Sequence, residues 1–491
     1  MPVPSYKWQA LFAVCFGTYM ATMDFSIVNV ALPTLADEFN RRPDTVVWAT
    51  LAANLVVTGL TLTAGRTGDM YGRKRVYIAG WVVFTIGMAL AGFAQGIGQL
   101  IALRVFQAVG MALAIANGNA IVTAAFPDNE RGRALGMVGS VVGAGLMSGP
   151  IFGGVILGAF GWQAIFYLRV PIGLAAMLLA FFFIRESGGE AADQRRLDIP
   201  GAVTIFAALS SALLAVNRGQ IWGWTSPAIL GLFVLAAASF AAFIRIESRT
   251  PAPVVSLSLF RVRAFSVGVL SLVTNFLGQS AATFLMPFYL ISVLDYGTAK
   301  AGFVIATIPA MMLLLSSLSG YVSDRFGFRH QTTLGLAIVA LGLLSLSTLR
   351  IDEPAGLIMA RLAVIGVGSA IFMSPNSSGV LGSVPRTKLG VASASVATAR
   401  NIGNAAGLAL TSAVLVGVAS ASAGVSGIDA RDLPPAALLD GVRAAFLAAA
   451  VASSFAVLVS YLGHRHRAAV HEARADQSAA TTPPSGAVVR D

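Results

Sequence analysis

One carboxylate in this chain lies where a carboxylate is costly. Asp24 falls in the run FGTYMATMDFSIVNVALP, part of an apolar segment that begins near Trp8. An ionisable group buried at membrane depth is expensive unless it is paired, hydrated or protonated, so it is a functional-site candidate. The other Asp and Glu residues fall in connections, in a tail or, like Asp198, in the first turn of an apolar segment. If the protein moves protons or cations, Asp24 is the leading candidate to carry them.

Arg104 is the candidate partner of this carboxylate. It occurs in the apolar run LIALRVFQAVG. At a helical rise of about 1.5 Å per residue, Asp24 lies roughly 20 Å up a hydrocarbon core about 30 Å thick, and Arg104 lies about 9 Å down from the other side. The two depths coincide, so a direct or water-mediated contact is geometrically possible. Such a pair either couples protonation to a conformational change or only ties two helices together.

The composition identifies the elements that must position these residues. Of 491 residues, 56% are hydrophobic and only 11% are charged, whereas soluble domains carry about 25% charged residues. The apolar runs have the length of membrane-crossing helices rather than of barrel strands. The expected fold class is therefore an all-α integral membrane protein. The segment from Trp8 is too long for a signal peptide and is interpreted as a retained first span.

Apolar windows predict fourteen spans. In residue numbers they are 8–33, 45–64, 76–94, 98–126, 132–158, 163–184, 199–217, 227–245, 264–291, 301–320, 331–349, 355–381, 388–418 and 441–463. Most of the 33 Lys and Arg residues fall in alternate connections and at the two ends of the chain. The positive-inside rule places those connections and both termini in the cytoplasm. The net charge of +11 therefore indicates membrane orientation rather than nucleic-acid binding.

The last stretch, 464–491, predicts a disordered cytoplasmic tail, because it is rich in Ala, Ser, Thr and Pro with scattered charges and no periodicity. Its histidines, His464, His466 and His471, are typical of solvated side chains beside arginines rather than of a metal site. No metal and no cofactor are expected.

A ten-residue pattern recurs at long range. GRTGDMYGRK (65–74) follows the second span and GYVSDRFGFR (320–329) follows the tenth, at an offset of 255 residues. Spans 1–6 and 9–14 are therefore two copies of one six-helix unit, with spans 7 and 8 inserted between them. The same offset carries Asp24 onto Gln279, so the second copy has an uncharged amide in that place.

The spacing G-x-x-x-D-x-x-G-R-K resembles the signature loop of the major facilitator superfamily. The residues that carry the resemblance are Gly65, Asp69, Gly72, Arg73, Asp324 and Arg325. The family's usual basic residue after the first Asp is Met70 here, whereas the second copy keeps Arg325. The resemblance implies that Asp69 helps to lock the two halves together in one access state. The plainer alternative is a basic loop that only anchors the cytoplasmic face.

Three further patterns fit the same family. Arg104 and Gln107 match its R-x-x-Q-G motif, with Ala108 in the glycine place. The fifth span contains G-x-x-x-G-P-x-x-G-G, which looks like the antiporter motif of the superfamily's exporters and adds Gly149 and Pro150 to the gating candidates. Ordinary small-residue packing is the alternative for that stretch. The opening MDFSIVNVALP resembles the first-span signature of the fourteen-span drug:proton antiporter-2 family.

The resemblance implies the major facilitator fold, in which two six-helix bundles enclose a central cavity. The N-terminal bundle would occupy 1–184, the two extra central helices with their linkers 185–250, and the C-terminal bundle 251–463. Spans 1, 4, 9 and 12 would line the cavity. The candidate cavity residues on them are Phe25, Asn117, Asn119, Asn275, Phe276, Gln279, Arg361, Phe372 and Asn376. Their amides and rings suit a bulky amphipathic solute, but they equally suit hydrogen bonds between helices.

Two arginines within spans have no evident role in the sequence. Arg169 lies near the outer end of the sixth span, where snorkelling to the headgroups is a sufficient explanation. Arg400 in span 13 requires a partner that the sequence does not name.

The expected function is proton-coupled secondary transport that exports amphipathic or lipophilic small molecules, such as drugs, antibiotics or toxic metabolites. Asp24 and Arg104 would couple the proton, and one membrane carboxylate favours neutral or monovalent cationic solutes. The expected partners are the solute, protons and the bilayer, with no nucleic acid; the expected state is a monomer in the bacterial inner membrane. An importer or facilitator of a small metabolite and a lipid flippase remain alternatives. No G-K-[ST] loop supports a primary pump, and no nucleophile–base arrangement supports an enzyme.

Overall fold

A computed structural model describes residues 5–187, 189, 197–424 and 434–480, except for the side chains of 43, 44 and 463–480. The regular elements of these ranges are all helical. The first part contains α1 (Tyr6–Glu38), α2 (Pro43–Val46), α3 (Trp48–Tyr71), α4 (Arg73–Ala91), α5 (Ile97–Ala125), α6 (Arg131–Phe160), α7 (Trp162–Tyr167) and α8 (Val170–Phe183). Two helices follow, α9 (Ile199–Trp222) and α10 (Pro227–Glu247). The remainder contains α11 (Arg263–Pro287), α12 (Thr298–Ile305), α13 (Thr307–Phe326), α14 (Phe328–Leu346), α15 (Ala355–Gly382), α16 (Leu389–Ala423) and α17 (Pro435–Ala480).

The fourteen predicted spans each correspond to helical structure. Thirteen segments of the described chain are long and apolar enough to cross a membrane, the α7–α8 and α12–α13 pairs each forming one of them. The remaining predicted span, the eleventh (331–349), is α14, which has 19 residues and carries polar side chains near its start, Arg329, His330 and Gln331. The predicted class, an all-α integral membrane protein, is confirmed.

The helices form two groups. In the first group α1, α3, α4, α5, α6 and α8 pack together, and in the second group α11, α13, α14, α15, α16 and α17 do so. The inserted helices pack on each other, and α9 also contacts α3 and α16, one helix from each group. The boundaries of the three predicted units, 1–184, 185–250 and 251–463, stay a prediction.

The two groups approach closely along two helix pairs, α6 with α13 and α3 with α16. Glycines allow both approaches. A Cβ added to Gly65 would lie 2.5 Å from the carbonyl oxygen of Gly390, and one added to Gly132 would lie 2.7 Å from that of Gly320. The backbones therefore touch without intervening side chains, near the ends of the helices that carry the repeated loops.

The repeated loops turn at equivalent glycines. Gly72, between α3 and α4, has φ +103°, and Gly327, between α13 and α14, has φ +86°. An L side chain is strained at such angles, which accounts for glycine at both places. The surface that carries these two turns is called the motif face below.

The last helix, α17, continues to Ala480 and so includes part of the predicted tail. The side chains from 463 onward and residues 481–491 lie outside the described part of the chain. The prediction of a disordered tail at 464–491, and that of solvated histidines within it, stay predictions.

Candidate functional site

Asp24 lies at the centre of a buried charge cluster. Its side chain is 1% exposed, and its Oδ2 lies 2.9 Å from Nη1 of Arg104. Gln107, one turn further along α5, donates from Nε2 to Oδ1 of Asp24 at 3.1 Å and accepts from Nη1 of Arg104 at 2.6 Å. The contact that depth counting made possible is therefore direct, and the amide of the R-x-x-Q pattern belongs to it.

Arg169 also binds Asp24, so the expectation that it snorkels to the headgroups is wrong. Its Nη1 lies 2.5 Å from Oδ1 of Asp24, its Nε donates to the carbonyl of Ile165 at 2.6 Å, and its side chain is 1% exposed. It occupies the break between α7 and α8, which turns it inward. A charge-assisted hydrogen bond to a nearby carboxylate stabilises a guanidinium more than contact with the more distant lipid headgroups does. Two cations therefore share one anion, and the cluster keeps one net positive charge.

The charge cluster is not on the wall of the central cavity. Asp24 faces a small enclosed pocket inside the first helix group, among Val57, Phe84 and Met111. The neighbouring residue, Phe25, borders both this pocket and the central cavity. Any effect of Asp24 on a bound solute therefore has to pass through the helices that carry the charge cluster, such as α1 and α5, rather than through direct contact.

The central cavity lies between the two helix groups and has a volume of about 1350 Å³. Four of the predicted cavity residues line it: Phe25, Asn119, Phe276 and Gln279. The gating candidate Pro150 lines it too. Contact of these side chains with a solute stays a prediction.

The cavity also contains polar and aromatic residues that sequence reasoning missed. These are Asn54 of α3, Tyr77 and Trp81 of α4, and Arg400, Asn401 and Asn404 of α16. The signal in the sequence was the spacing R-N-x-x-N in α16, which places three polar side chains on one helix face. The family pattern of four lining spans did not include this helix.

Three predicted cavity amides bond to neighbouring helices instead. Asn117 donates to the carbonyl of Ala64 at 3.3 Å, Asn376 donates to that of Gly268 at 3.0 Å, and Asn275 accepts from Ser369 at 3.4 Å. All three side chains are buried. In an apolar interior an amide is stabilised by such interhelical bonds, which was the open alternative for these residues.

Two other predicted cavity residues, Arg361 and Phe372, also lie elsewhere. Arg361 forms an ion pair with Glu353 at 2.8 Å near the beginning of α15 and donates to the carbonyl of Ser345. Phe372 is 0% exposed and packs against α14 beside Gly335. Helical periodicity grouped them with Asn376 on one face, but that face meets neighbouring helices.

The first repeated loop joins the two helix groups through Asp69. Its Oδ1 accepts from the backbone N–H of Gly390 at 2.8 Å and its Oδ2 from that of Val391 at 3.0 Å. These N–H groups belong to the first turn of α16, which lacks helical acceptors and carries the positive end of the helix dipole. Arg73 lies 2.6 Å from Asp69 and donates to the carbonyl of Arg386 at 2.6 Å. We call this set the first lock.

The second repeated loop makes the equivalent contact in the opposite direction, from the second helix group to the first. Oδ1 of Asp324 accepts from the N–H of Gly132 and Oδ2 from that of Arg133, both at 2.7 Å, in the first turn of α6. Asp324 is half-buried, and Arg325 is exposed. Phe328 stands where the first loop has Arg73. We call this set the second lock.

The comparison with protein families settles the assignment. The model described as Major Facilitator Superfamily matches residues 14–408. This chain belongs to the major facilitator superfamily. It is therefore a secondary transporter and a multi-pass membrane protein, not an enzyme, as the repeated loop indicated.

Curated relatives of this transporter include carriers of different solutes. The riboflavin transporter RibZ of Clostridioides difficile (strain 630) is 36% identical over 407 residues, which are 83% of this chain and 88% of that protein. The multidrug resistance protein Stp of Mycobacterium tuberculosis (strain CDC 1551 / Oshkosh) is 31% identical over 413 residues, 84% of this chain and 76% of that protein. Among solved structures, the human organic anion transporter MFSD10 (TETRAN) superposes with a TM-score of 0.65 at 14% identity, covering 93% of this chain and 100% of that one, so the fold is shared.

The antiporter-like stretch of the transporter gives α6 two glycine faces. A Cβ on Gly143 would lie 2.7 Å from the carbonyl oxygen of Pro309, which begins α13 across the seam between the groups. A Cβ on Gly149 would overlap with Oγ of Ser26 in α1, a hydroxyl that donates to the carbonyl of Gly145 at 3.2 Å. The same helix therefore meets backbone atoms of a helix in the other group and a side chain of a helix in its own group.

The transporter is closed at the motif face. Both locks bridge the groups there, and the hydroxyl of Ser374 in α15 donates to the carbonyl of Gly132 in α6 at 2.6 Å. The cavity lining instead extends to residues near the opposite helix ends, such as Ile151, Asn217 and Thr298. The described chain therefore adopts a state whose cavity is directed away from the motif face.

Proposed function

We propose that this transporter exports amphipathic small molecules across the bacterial inner membrane in exchange for protons, as a monomer with both termini in the cytoplasm. The observation that carries the proposal is the combination of a large amphipathic cavity with a single deep carboxylate in the adjoining helix group. Among the described spans, Asp24 is the acid that lies away from a helix end. The positive-inside pattern of charges supports a cytoplasmic motif face, and with that orientation the cavity described above is directed outward.

Asp24 couples the proton by holding two cations together. When it is ionised, it screens Arg104 from Arg169 and joins α1, α5 and the start of α8. Protonation removes the only negative charge of the cluster and leaves two guanidinium groups that repel each other in a medium of low polarity. The helices that carry them then move relative to α1, whose cavity side includes Phe25, Ser26 and Asn29. The coupling thus acts on the shape of the cavity wall.

Reconstitution of the Asp24→Asn variant tests this function. We expect the variant to fold and to bind solute but to lose accumulation driven by a pH gradient, because its site cannot change charge. The measurement uses proteoliposomes with an internal pH dye and a panel of lipophilic cations, macrolides and dyes. Asp37→Asn, an exposed acid near the end of the same helix, is the matched control and should transport like the wild type. If the Asp24→Asn variant accumulates solute against the solute's gradient at the wild-type rate, the coupling role of Asp24 is refuted.

A second candidate is a carrier of riboflavin or a similar flavin. The observation that favours it is the 36% identity to a protein named as a riboflavin transporter. Radiolabelled riboflavin in the same proteoliposomes separates the two functions. A facilitator would equilibrate riboflavin without solute-driven proton movement, whereas an antiporter would alkalinise or acidify the lumen in step with solute flux.

A further inference from the structure

The cavity contains one cation that nothing in the described chain neutralises. Arg400 lies in α16, roughly 16 Å from the beginning of that helix at 1.5 Å per residue, which is near the middle of the membrane. It lines the cavity together with Ala397, Asn401 and Asn404 of the same helix. Arg400 lies three residues after Ala397 and four before Asn404, and its neighbour Asn401 lies three before Asn404, so the four positions form one helix face that lines the cavity.

The wall of the cavity contains no compensating acid. Among the described residues that line it, Arg400 is the side chain that carries a charge at neutral pH, and no Asp or Glu is included. Asp24 cannot serve, since it is turned into its own helix group and already shared by two arginines. Asn401, the next residue, is already bonded to Thr58 of α3 at 3.0 Å. In the described part of the chain the side chain of Arg400 forms no hydrogen bond or ion pair.

A guanidinium in such a place is suited to bind an anion. Arg stays protonated at any physiological pH and offers five N–H donors in a planar fork that fits a carboxylate or another oxyanion. An intramembrane cation that faces a cavity is expensive unless it is paired or hydrated, and such residues line solute or ion pathways. The same charge disfavours cations, whereas the single carboxylate Asp24 favoured neutral or monovalent cationic solutes; the probes below distinguish the two expectations.

The rest of the wall describes the body of the solute. Phe25 and Trp81 border the cavity from the first helix group, and Phe276 borders it from the second. Rings of this kind favour a flat apolar or aromatic body, while the amides of Asn401 and Asn404 lie beside the cation and can bond to further oxygens.

We propose that Arg400 is the recognition point for an anionic group, and that the transported solutes are amphipathic aromatic monoanions such as carboxylates or acidic phenols. The inference rests on the proposed function only in that the central cavity carries the solute. It does not depend on proton coupling.

Three fluorescent probes that differ in charge test the inference on the full-length protein in lipid nanodiscs. They are 1-pyrenebutyrate, the neutral 1-pyrenebutanol and the cationic 1-pyrenebutylamine, with protein-free nanodiscs to correct for partition into lipid. We expect the wild type to bind the carboxylate at least about tenfold more tightly than the alcohol, because hydrogen bonds to a charged group are the strong ones. The amine should bind most weakly. A wild type that prefers the amine, or that binds none of the three probes, overturns the proposal.

Two variants locate the preference at Arg400. Arg400→Gln should bind the carboxylate and the alcohol equally, with unchanged affinity for the alcohol, while Arg400→Lys should keep part of the preference because it keeps the charge. Binding of the alcohol shows that each variant is folded and that its cavity is intact. An Arg400→Gln variant that retains the full preference for the carboxylate refutes the assignment. If neither variant folds, the probe series on the wild type still decides whether the cavity prefers anions.

The result is separable from that of the coupling experiment. The probe affinities are equilibrium values measured without a pH gradient, so they do not change if Asp24 proves to have no role in coupling. Conversely, the transporter could export a cationic dye in exchange for protons while the probes show no preference for the carboxylate. That result would support the proposed function and overturn this inference.

Discussion

The two locks have the same geometry but different reinforcement. In both, a carboxylate at the end of one helix accepts two backbone N–H bonds from the first turn of a helix in the other group. In the first lock Asp69 is 2% exposed and Arg73 is 1% exposed, and this arginine also reaches the opposite group at Arg386. In the second lock Asp324 is half-buried and has Phe328 in place of the arginine. The two locks therefore share their backbone hydrogen bonds but differ in the charged side chains around the carboxylate.

This difference shows what the repeated motif requires. The glycine turn and the carboxylate are kept in both copies because they meet a helix N-terminus, where any carboxylate of the right reach is stabilised. The cation is needed only where the carboxylate is fully buried, since a buried charge without a partner is costly. We therefore expect the first lock to contribute more to the closed state and the second lock to release more readily.

The largest effect is expected for Asp69→Asn, which removes the buried anion and leaves Arg73 uncompensated. Breaking one partner of a buried pair costs about 3–5 kcal/mol. The closed motif face should open, turnover should fall far, and solute affinity in detergent should change by less than about tenfold, or 1.4 kcal/mol, because Asp69 is remote from the cavity.

Labelling of engineered cysteines on the motif face, in a Cys15→Ser background, measures this opening. Asp128→Asn serves as the matched control, because the side chain of Asp128 is 83% exposed on the same face. If Asp69→Asn labels and transports like the wild type, the loop is only a basic anchor for the membrane surface.

An intermediate effect is expected for Arg73→Gln, which converts the first lock into an approximate copy of the second. Asp69 keeps its two backbone donors but loses the contact through Arg73 to the carbonyl of Arg386. Labelling should rise above wild type and stay below that of Asp69→Asn. Labelling equal to that of Asp69→Asn would show that the arginine, rather than the helix terminus, holds this lock.

The smallest effect is expected for Asp324→Asn. Loss of a helix-terminus acceptor costs about 1 kcal/mol, and no buried cation is left behind. Labelling near Gly132 should rise modestly. Arg325→Gln is the control, because Arg325 is exposed, and it should behave like the wild type. An effect of Asp324→Asn as large as that of Asp69→Asn would contradict the asymmetry of the two locks.

The sequence predicted local and repeated features well and tertiary ones poorly. Depth counting matched Asp24 with Arg104 because both lie on regular helices whose direction alternates. Arg169 escaped this method because it occupies a break between two helices, where the count along one axis no longer gives the direction of a side chain. Its inward turn depends on tertiary packing.

Only some of the cavity residues were predicted, again because their direction depends on tertiary packing. A period of 3.6 residues identifies which side chains share a helix face, but it does not show whether that face meets a cavity or another helix. Gln279 lines the cavity, whereas Asn376 bonds to a neighbouring helix. The effect of Met70 on the first lock could not be predicted from the sequence either. Its place in the motif lacks the family's cation, and only the packed structure shows Arg73 next to the carboxylate of Asp69.

The two glycine faces of α6 have a mechanical consequence. A helix that meets its neighbours with side chains interlocks with them, and sliding then requires those side chains to change rotamer and repack. Gly143 gives α6 a contact with backbone atoms of α13, whereas the Ser26 side chain of α1 fills the space at Gly149 and bonds to the carbonyl of Gly145. We therefore expect α6 to slide along α13 more easily than along α1. The waiting time between access states would then be determined by the few polar bonds at the motif face, and a change in one carboxylate there would alter the speed of the whole cycle.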